Sequence, residues 1–437
     1  MPPKIQPRVP RGMRDILPQK MLLRQYVIGQ VESVFQRFGF EPLQTPVLEL
    51  RETLLGKYGP DAEKLIYDAR HREGKEELSL RYDLTVPLTR IVAMYPELVK
   101  PFKRYQIAPV WRAERPQKGR YREFYQCDVD IVGSKSMLAD AEMISVIYAV
   151  LTRLGFKSFV VKINNRKILT GIGQYAGVPK ELLAGLYRSI DKLDKIGKEG
   201  VRAEMAQNQI PPDVIDKMME LIALPPNAFG KLRELLANVP SAMEGIDELE
   251  QLATFLGDSG VPITNYQFDF AMVRGLAYYT GPIYETIVTE PKIGSLTGGG
   301  RYDELIGLMS NQSIPVTGTS FGIERIIDVM EELAMFPPQV GKTVTQVFVT
   351  VFNRDFFGVS IRLANALRAA GLNTELALDA DGLGKQLKYA AAKAIPFAVI
   401  VGPDEAAAQK ATLRDLSSGE QTAIPQPDLA ATIADKL

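Results

Sequence analysis

The chain has a single cysteine and a single histidine in 437 residues. One thiol, Cys127, rules out an intrachain disulfide and any multi-cysteine metal site. One imidazole, His71, rules out histidine-based metal clusters and disfavours a Ser-His-Asp triad. No protein-held metal is therefore expected. Neither sign of charge is in excess: Lys plus Arg and Asp plus Glu number 52 each, so any basic surface for nucleic acid has to be local. No apolar run approaches the length of a membrane-spanning helix. The N-terminal MPPKIQPRVPRGMRDILP is basic but lacks the apolar stretch of a secretory signal. A cytoplasmic protein with no membrane attachment is the expectation. Two nucleotide signatures are missing as well: there is no GxxxxGK[ST] loop and no GxGxxG after a strand, so neither a P-loop ATPase nor a Rossmann dehydrogenase is supported.

What is present begins with length, which exceeds one ordinary core and predicts two or three domains. The most informative stretch runs from Val110 to Gly133, VWRAERPQKGRYREFYQCDVDIVG. After the turn-prone RPQKG, Phe124, Gln126, Asp128 and Asp130 fall on one side of an extended strand, and Tyr125, Cys127, Val129 and Ile131 on the other. A period of two with one apolar face predicts an antiparallel strand covered on one side only. Arg112 and Arg115 before the turn, with Lys118, Arg120 and Arg122 in it, put five cations over this polar face. A solvated mixed-charge hairpin and a ligand-binding surface both fit that pattern.

Along the chain, Leu22, Leu23, Tyr26, Val27, Val31, Val34 and Phe35 recur at helical spacing from Pro18 to Arg37, and Gly39 supplies a stop. FEPLQTPVLEL alternates enough for a strand, which Pro42 and Pro46 push toward an edge or an interface. Leu78 and Leu80 alternate with Ser79 and Arg81 as a short strand, and Asp83 to Thr85 read as the cap of the following helix. Met137 to Gly155 reads as an amphipathic helix and FVVKINN as a strand. From about 166 to 256 the patterns are helical only and read as an insertion. Strands return at Tyr266 to Val288, followed by the turn-rich TGGGRYDELIGLM and a helix on which Ile323, Ile326, Ile327 and Met330 share one face. Pro337, Pro338 and Gly341 mark a linker over 336–344, separating a domain over 1–335 from a parallel α/β domain over 345–437 that ends in a hairpin at Ser417 to Glu420 and a short helix.

Gly298 to Gly300 reads first as a tight turn, although bare backbone there would also admit a ligand closely. Arg112, Glu114, Arg120, Arg274, Arg301 and Arg325 lie in or beside strands and turns with Phe124, Tyr278, Tyr279 and Tyr302 as aromatic neighbours. Several guanidinium groups converging on a sheet suit a polyphosphate, since they donate bidentately and stack on flat rings. Structural ion pairing is the plainer reading for any one of them.

These segments carry a resemblance. WRAE and the GIER helix resemble motifs 2 and 3 of class II aminoacyl-tRNA synthetases, and PLQTPVLE resembles their proline-bearing motif 1. RGMRDILP, LSLRYDLTVP, GRYREFYQCDVDIVG, VRGLAYYTG and GGGRYDELIGL together are similar to the histidyl-tRNA synthetase family, and GKQLKYA and FAVIVG to its anticodon-binding domain. The resemblance implies an α/β protein with an α+β catalytic domain on an antiparallel sheet, interrupted by the helical insertion, plus a C-terminal α/β anticodon-binding domain. It implies histidine activation by ATP with Mg2+, transfer to tRNA(His), and a homodimer built through motif 1. Arg112 and Arg274 would be catalytic. ATP would be held by Arg112, Glu114, Arg120, Phe124 and Arg325. Histidine would be held by Asp83, Thr85, Gln126, Asp130, Arg274, Tyr278, Tyr279 and Tyr302, with Asp130 and Tyr279 on the imidazole and Asp83 and Gln126 on the α-amino group.

Two positions depart from the family pattern: Ala277 stands where many members carry the aspartate of RGLDYY, and Asp130 is one methylene shorter than the glutamate of many bacterial members. Two rival readings are a catalytically silent regulatory subunit of ATP phosphoribosyltransferase and a tRNA-binding sensor. The first usually lacks the C-terminal domain and the motif around Arg274, and the second would be expected to carry an effector domain.

Overall fold

The computed structural model describes residues 6–58, 60–116, 120–179, 182–190, 192–273, 278–291, 293–310 and 312–437. The chain divides into two compact units, one holding the residues up to Asp15 and Val27–Met335, the other Ile16–Tyr26 and Phe336–Leu437.

The helix Pro18–Arg37 is divided between the units after Tyr26, and its part in the first buries Val27, Val31, Val34 and Phe35. The Phe35 ring packs against Phe40, Tyr105 and Phe321 at centroid distances of 6.4, 5.5 and 5.6 Å. Gly39, at φ 75°, provides the left-handed residue that ends the helix. The stretch expected as one strand then divides. Strand β1 (Glu41–Pro42) joins the edge of the main sheet, whereas β2 (Leu48–Leu50) forms a separate three-stranded sheet with β3 (Asp68–Ala69) and β4 (Leu78–Leu80). Between β1 and β2 the carbonyls of Thr45 and Pro46 turn to the buried Arg81, whose Nη1 donates to them at 2.9 and 3.3 Å. In β4 the polar side is the buried one: Ser79 is fully covered and donates to Asp68 at 3.0 Å, and Leu78 and Leu80 are half-buried.

The main sheet continues through β5 (Phe102–Trp111), β6 (Glu123–Val132), β7 (Val160–Asn165), β8 (Tyr266–Phe268), β9 (Pro282–Ile287), β10 (Thr297–Arg301) and β11 (Val316–Gly322). Its eight strands among the described residues run in the order β1-β5-β6-β11-β10-β9-β7-β8, antiparallel except for the β1/β5 and β7/β8 pairs. The helix Met137–Arg153, capped by Ser136 accepting from the Leu138 amide at 3.2 Å, packs on β11. Helices occupy the span from Arg166–Ala176 to Pro240–Asp258 without a strand among the described residues, and the last of them packs on Met137–Arg153.

Two sequence expectations are corrected by this sheet. Strand β6 is not open to water on its polar side; from Gln126 to Val132 both faces are buried. Gly298 to Gly300 is not a turn but lies inside β10, between β9 and β11. Partners distant in sequence decide both: β5 and β11 flank β6 and the helix Ile323–Glu332 packs on it, while the absent side chains of β10 let that strand approach β11 closely. A β-carbon at Gly299 would collide with the backbone of Gly318 and lie 2.7 Å from Thr319 Cα.

The second unit contains β12 (Val347–Val349), β13 (Thr374–Leu376), β14 (Phe397–Ile400), β15 (Lys410–Asp415) and β16 (Gln421–Pro425), in the order β13-β12-β14-β15-β16. Only β13, β12 and β14 are parallel; β15 and β16 add antiparallel strands, so the sheet is mixed. Alternation along β12 sends Val347 and Val349 to one core with Leu363, Leu367 and Leu429, and Phe348 to another with Ala390 and Ile395. Burial on both faces is what βαβ connections require.

Candidate active site

The register of the main sheet gathers one polar face. Arg104 and Gln106 on β5 stand opposite Asp130 and Asp128 on β6, and Gly318 and Ser320 on β11 stand opposite the same two aspartates from the other side. A β-carbon at Gly318 would occupy the position of the Asp130 carboxylate, so the glycine makes room for that side chain. Gly298 on β10 is paired with Ser320, and a β-carbon there would meet nothing within 4 Å. The backbone of β10 thus lies bare at the face, as the second reading of the glycine run anticipated.

Above this face lie two adjoining cavities of about 340 and 320 Å³. Arg112, Gln126, Gly298 and Ser320 line both and mark the boundary between them. The first cavity contains Asp83, Thr85, Gln126, Asp130, Tyr278, Tyr279 and Tyr302, each of the described residues expected to hold histidine. Asp83 caps the helix Thr85–Met94, its Oδ1 accepting from the amides of Thr85 and Val86 at 3.1 and 3.0 Å and from the Tyr58 hydroxyl at 2.9 Å. Its Oδ2 is buried without a partner. The Tyr302 hydroxyl donates to Asp130 Oδ1, and the fully buried Arg104 stands 2.7 Å from Asp130 Oδ2. Arg104 also donates to the carbonyl of Leu84 at 3.2 Å, tying the Asp83–Thr85 turn to β6. The Tyr278 phenol is hydrogen-bonded to Thr85 and Tyr279.

Burial raises the pKa of Asp83, Asp128 and Asp130 above the ordinary carboxylate value; Arg104 pulls down on the last two. Asp128 is pushed up to about 7, with Asp130 adding to the effect of burial.

The second cavity contains Glu114, Arg120, Phe124 and Arg325 as well as the shared Arg112, so the five residues expected to hold ATP meet in one place. The Arg112 guanidinium lies 4.5 Å from the Tyr82 ring centroid and 5.1 Å from that of Phe124, and its Nε donates to the Tyr82 carbonyl at 3.1 Å. Arg325 Nη1 donates to the Ser295 carbonyl at 2.8 Å. Arg120 is paired with Glu114 at 3.4 Å across the mouth, where Arg120 is half exposed. The N-terminal arm braces this hairpin: the Arg122 amide donates to the Gly12 carbonyl at 2.9 Å, and the Arg14 guanidinium sits 3.5 Å over the Tyr121 ring. Gly12 has φ 84°, and a β-carbon on it would come within 2.7 Å of Pro116.

Some expected positions fall elsewhere. Arg301 does not join the arginines of the second cavity; it is buried against Asp140 and donates to the carbonyls of Ser134 and Ser136 at 2.8 and 3.2 Å. Its strand alternates, so Arg301 points away from the cavity face and the plain ion-pair reading holds for it. Arg274 and Ala277 lie outside the described residues. Sequence reasoning assigned no role to Arg104, Tyr58 or Glu324, the last of which accepts from the Tyr125 amide at 3.2 Å and faces Arg14 at 3.7 Å. The alternation of KRYQIAPVW could have put Arg104 on the face of Gln106, but only the β5/β6 register sets it against Asp130. For Tyr58, in an irregular polar loop, no local signal exists. Among the described residues no group of three or more His, Cys, Asp or Glu side chains could hold a metal ion, and no helix is long and apolar enough to cross a membrane.

A largely antiparallel sheet carrying two adjoining pockets, one acidic and one cationic, in a chain that also holds a separate α/β unit is the architecture of a class II aminoacyl-tRNA synthetase. The profile of histidyl-tRNA synthetase matches residues 12–326, and that of an anticodon-binding domain matches 346–436. The chain belongs to the histidyl-tRNA synthetase family. Among its relatives, the histidine–tRNA ligase of Aeropyrum pernix is 43% identical over 424 residues, 96% of each chain. That of Cytophaga hutchinsonii is 42% identical over 439 residues, 95% of this chain and 96% of the other. The crystal structure of histidyl-tRNA synthetase from Nostoc sp. PCC 7120 superposes with a TM-score of 0.88 at 33% identity, over 99% of this chain and all of the other, at 100%.

Proposed function

We propose that the protein is a histidine–tRNA ligase. It joins the carboxylate of histidine to the α-phosphorus of ATP, releasing pyrophosphate, and passes the histidyl group to the 3′-terminal adenosine of tRNA(His). The observation that carries this reading is the shared wall. Adenylation needs an amino-acid carboxylate and an α-phosphate side by side, and Arg112 stands where the acidic cavity meets the cationic one.

The first step needs no general base, because a carboxylate of ordinary pKa is already ionised at neutral pH. It needs charge stabilisation on the α-phosphate oxygens and in-line placement. Arg112 supplies the charge and also engages the substrate carboxylate, with Arg274 across from it. Phe124 and Arg325 sandwich adenine, Glu114 accepts from the purine amine, and Arg120 reaches the terminal phosphates. The Arg120–Glu114 pair must open for this, which costs little, since exposed pairs contribute about 0–1 kcal/mol. Magnesium would arrive as part of the nucleotide substrate and would supply neutralisation of phosphate charge.

Asp83 and Gln126 hold the α-amino group, with Thr85 beside them. Asp130 and Tyr279 meet the two imidazole nitrogens, and Tyr278 and Tyr302 keep Tyr279 and Asp130 in place. Such a pocket rejects amino acids that leave its buried polar atoms unpaired. The unit over 336–437 contacts tRNA, the two-fold partner packs through the motif 1 segment, and the reaction takes place in the cytoplasm.

Exchange of labelled pyrophosphate into ATP tests the reading. It is expected only with histidine, among the amino acids. No exchange with any of them would favour the regulatory-subunit reading.

A further inference from the structure

The reading of the first cavity as the histidine site leaves two of its carboxylates, Asp128 and Glu285, without a role. Asp128 is buried, lines the cavity, and has Oδ1 without a hydrogen-bond partner. Gln106 is engaged with Thr45, its Nε2 donating at 3.1 Å, Gln126 Nε2 donates to Ser320 Oγ at 3.2 Å, and the Ser320 hydroxyl is hydrogen-bonded to the Asp128 carboxylate, which leaves Oδ1 alone without a partner. Two other unpartnered acceptors of the same kind line this cavity, Asp83 Oδ2 and Gln126 Oε1. Asp130 Oδ2 also lacks a hydrogen bond but differs in standing 2.7 Å from the Arg104 guanidinium as an ion pair, while its Oδ1 accepts from Tyr302.

The chemistry of the missing donor follows. Buried acceptors without partners are costly and are retained where a ligand supplies the donors. Two of these three are carboxylate oxygens, so the ligand group is cationic. An α-ammonium presents three N–H donors from one atom, whereas an imidazole presents at most two, on opposite edges of a ring. Resting on the histidine-ligase reading, we infer that Asp128 is a third ammonium-binding residue: Asp83 Oδ2, Gln126 Oε1 and Asp128 Oδ1 each accept one N–H of the substrate's α-ammonium. Asp128 thereby selects for the amino group rather than for the ring.

The elevated pKa of Asp128 agrees with this arrangement. It faces Asp130 on its own strand, Arg104 from β5, Ser320 from β11 and Asp83 from the capping turn, and it also interacts electrostatically with Arg81, Tyr278 and Tyr279. Arg104 is shared with Asp130, and an incoming ammonium would draw off the Asp128 proton.

Equilibrium binding to the full chain tests the inference, with L-histidine and its des-amino analogue 3-(imidazol-4-yl)propanoate as probes. Asp128→Asn is expected to weaken L-histidine at least about tenfold, the size of one charge-assisted hydrogen bond, and to leave the analogue within about twofold. An unchanged histidine affinity, or equal losses for both ligands, overturns it. Wild-type protein gives an independent reading should the variant not fold. Calorimetry at pH 7 in buffers of different ionisation enthalpy is expected to find more protons released by histidine than by the analogue, and equal release overturns the assignment. Failure of wild-type protein to bind histidine would instead reject the histidine-ligase reading on which the inference rests.

Discussion

The two cavities meet at Arg112 yet are built on opposite physical plans. In the first cavity the polar groups are buried, carboxylate-rich and held by other buried groups: Tyr58 and two backbone amides on Asp83, Tyr302 and Arg104 on Asp130. In the second the groups are arginines and rings nearer the surface, some tied by contacts as weak as the Arg120–Glu114 bridge. On the proposed function, with histidine in the first and ATP in the second, the difference follows from what each ligand requires. Discriminating one amino acid from another depends on buried partners that a wrong ligand leaves unpaired. Binding a triphosphate depends on cations that can move to meet it, and such cations must stay hydrated until it arrives.

The comparison breaks most sharply at its boundary. Arg112→Ala should lower histidine-dependent pyrophosphate exchange by on the order of a thousandfold, because it removes the charge that both halves share. A loss confined to the KM of one substrate would mean that the two cavities do not meet there. On the acidic side, Asp83→Ala should raise the KM for histidine by about a hundredfold while the KM for ATP stays within about twofold, since a buried charged partner is lost. Because Asp83 also caps its helix, the melting temperature should fall by the equivalent of about 1 kcal/mol. On the cationic side, Phe124→Ala should raise the KM for ATP by about tenfold through lost stacking, with histidine binding unchanged. An equal rise for both substrates would contradict the separation of roles.

Burial itself can be read through pH. Asp128 has its pKa pushed up to about 7, above its unfolded value, so the folded protein retains a proton that the unfolded chain gives up. Its ionisation therefore costs stability as pH rises through that range. Asp128→Asn should melt about 2 °C or more above wild type at pH 8, with the gap closing toward pH 5. A gap of the same size at both pH values would remove burial of the charge as its cause. The smallest effect is expected at Arg120→Ala. Its melting temperature should stay within about 1 °C of wild type, because an exposed pair contributes so little. A larger drop would mean that the rim of the nucleotide cavity is as rigid as the floor of the other.

How far the sequence could be read follows the same division. The helices Pro18–Arg37 and Met137–Arg153, the helical insertion and the strand-helix order of the second unit all follow from local periodicity and capping residues. So does the shared face of Phe124, Gln126, Asp128 and Asp130, because a period of two assigns side chains to faces without reference to any other strand. Three features were not legible. Gly298 to Gly300 looked like a turn because glycine marks turns locally, whereas here it permits close packing of β10 on β11. Arg301 looked like a phosphate ligand because neighbouring arginines suggested a cluster, and its partner Asp140 lies on a helix far back in the chain. Ser79 sits on the buried side of β4 because Asp68 on β3 meets it.

By itself, then, the amino-acid sequence determined the alternation of β6, the residue types offered at its polar face, and the absence of histidine and cysteine chemistry from it. Those are properties of neighbours along a chain, and backbone geometry converts them directly into faces. The tertiary structure alone decided that this face is enclosed rather than wet, and that Arg104 stands against Asp130. It also left Asp83, Gln126 and Asp128 each with an unpartnered acceptor in one cavity. Those depend on the pairing of β5, β6, β11 and β10 and on the capping turn that closes beside them. Sheet register joins residues up to two hundred positions apart, and no local pattern encodes which of them will meet.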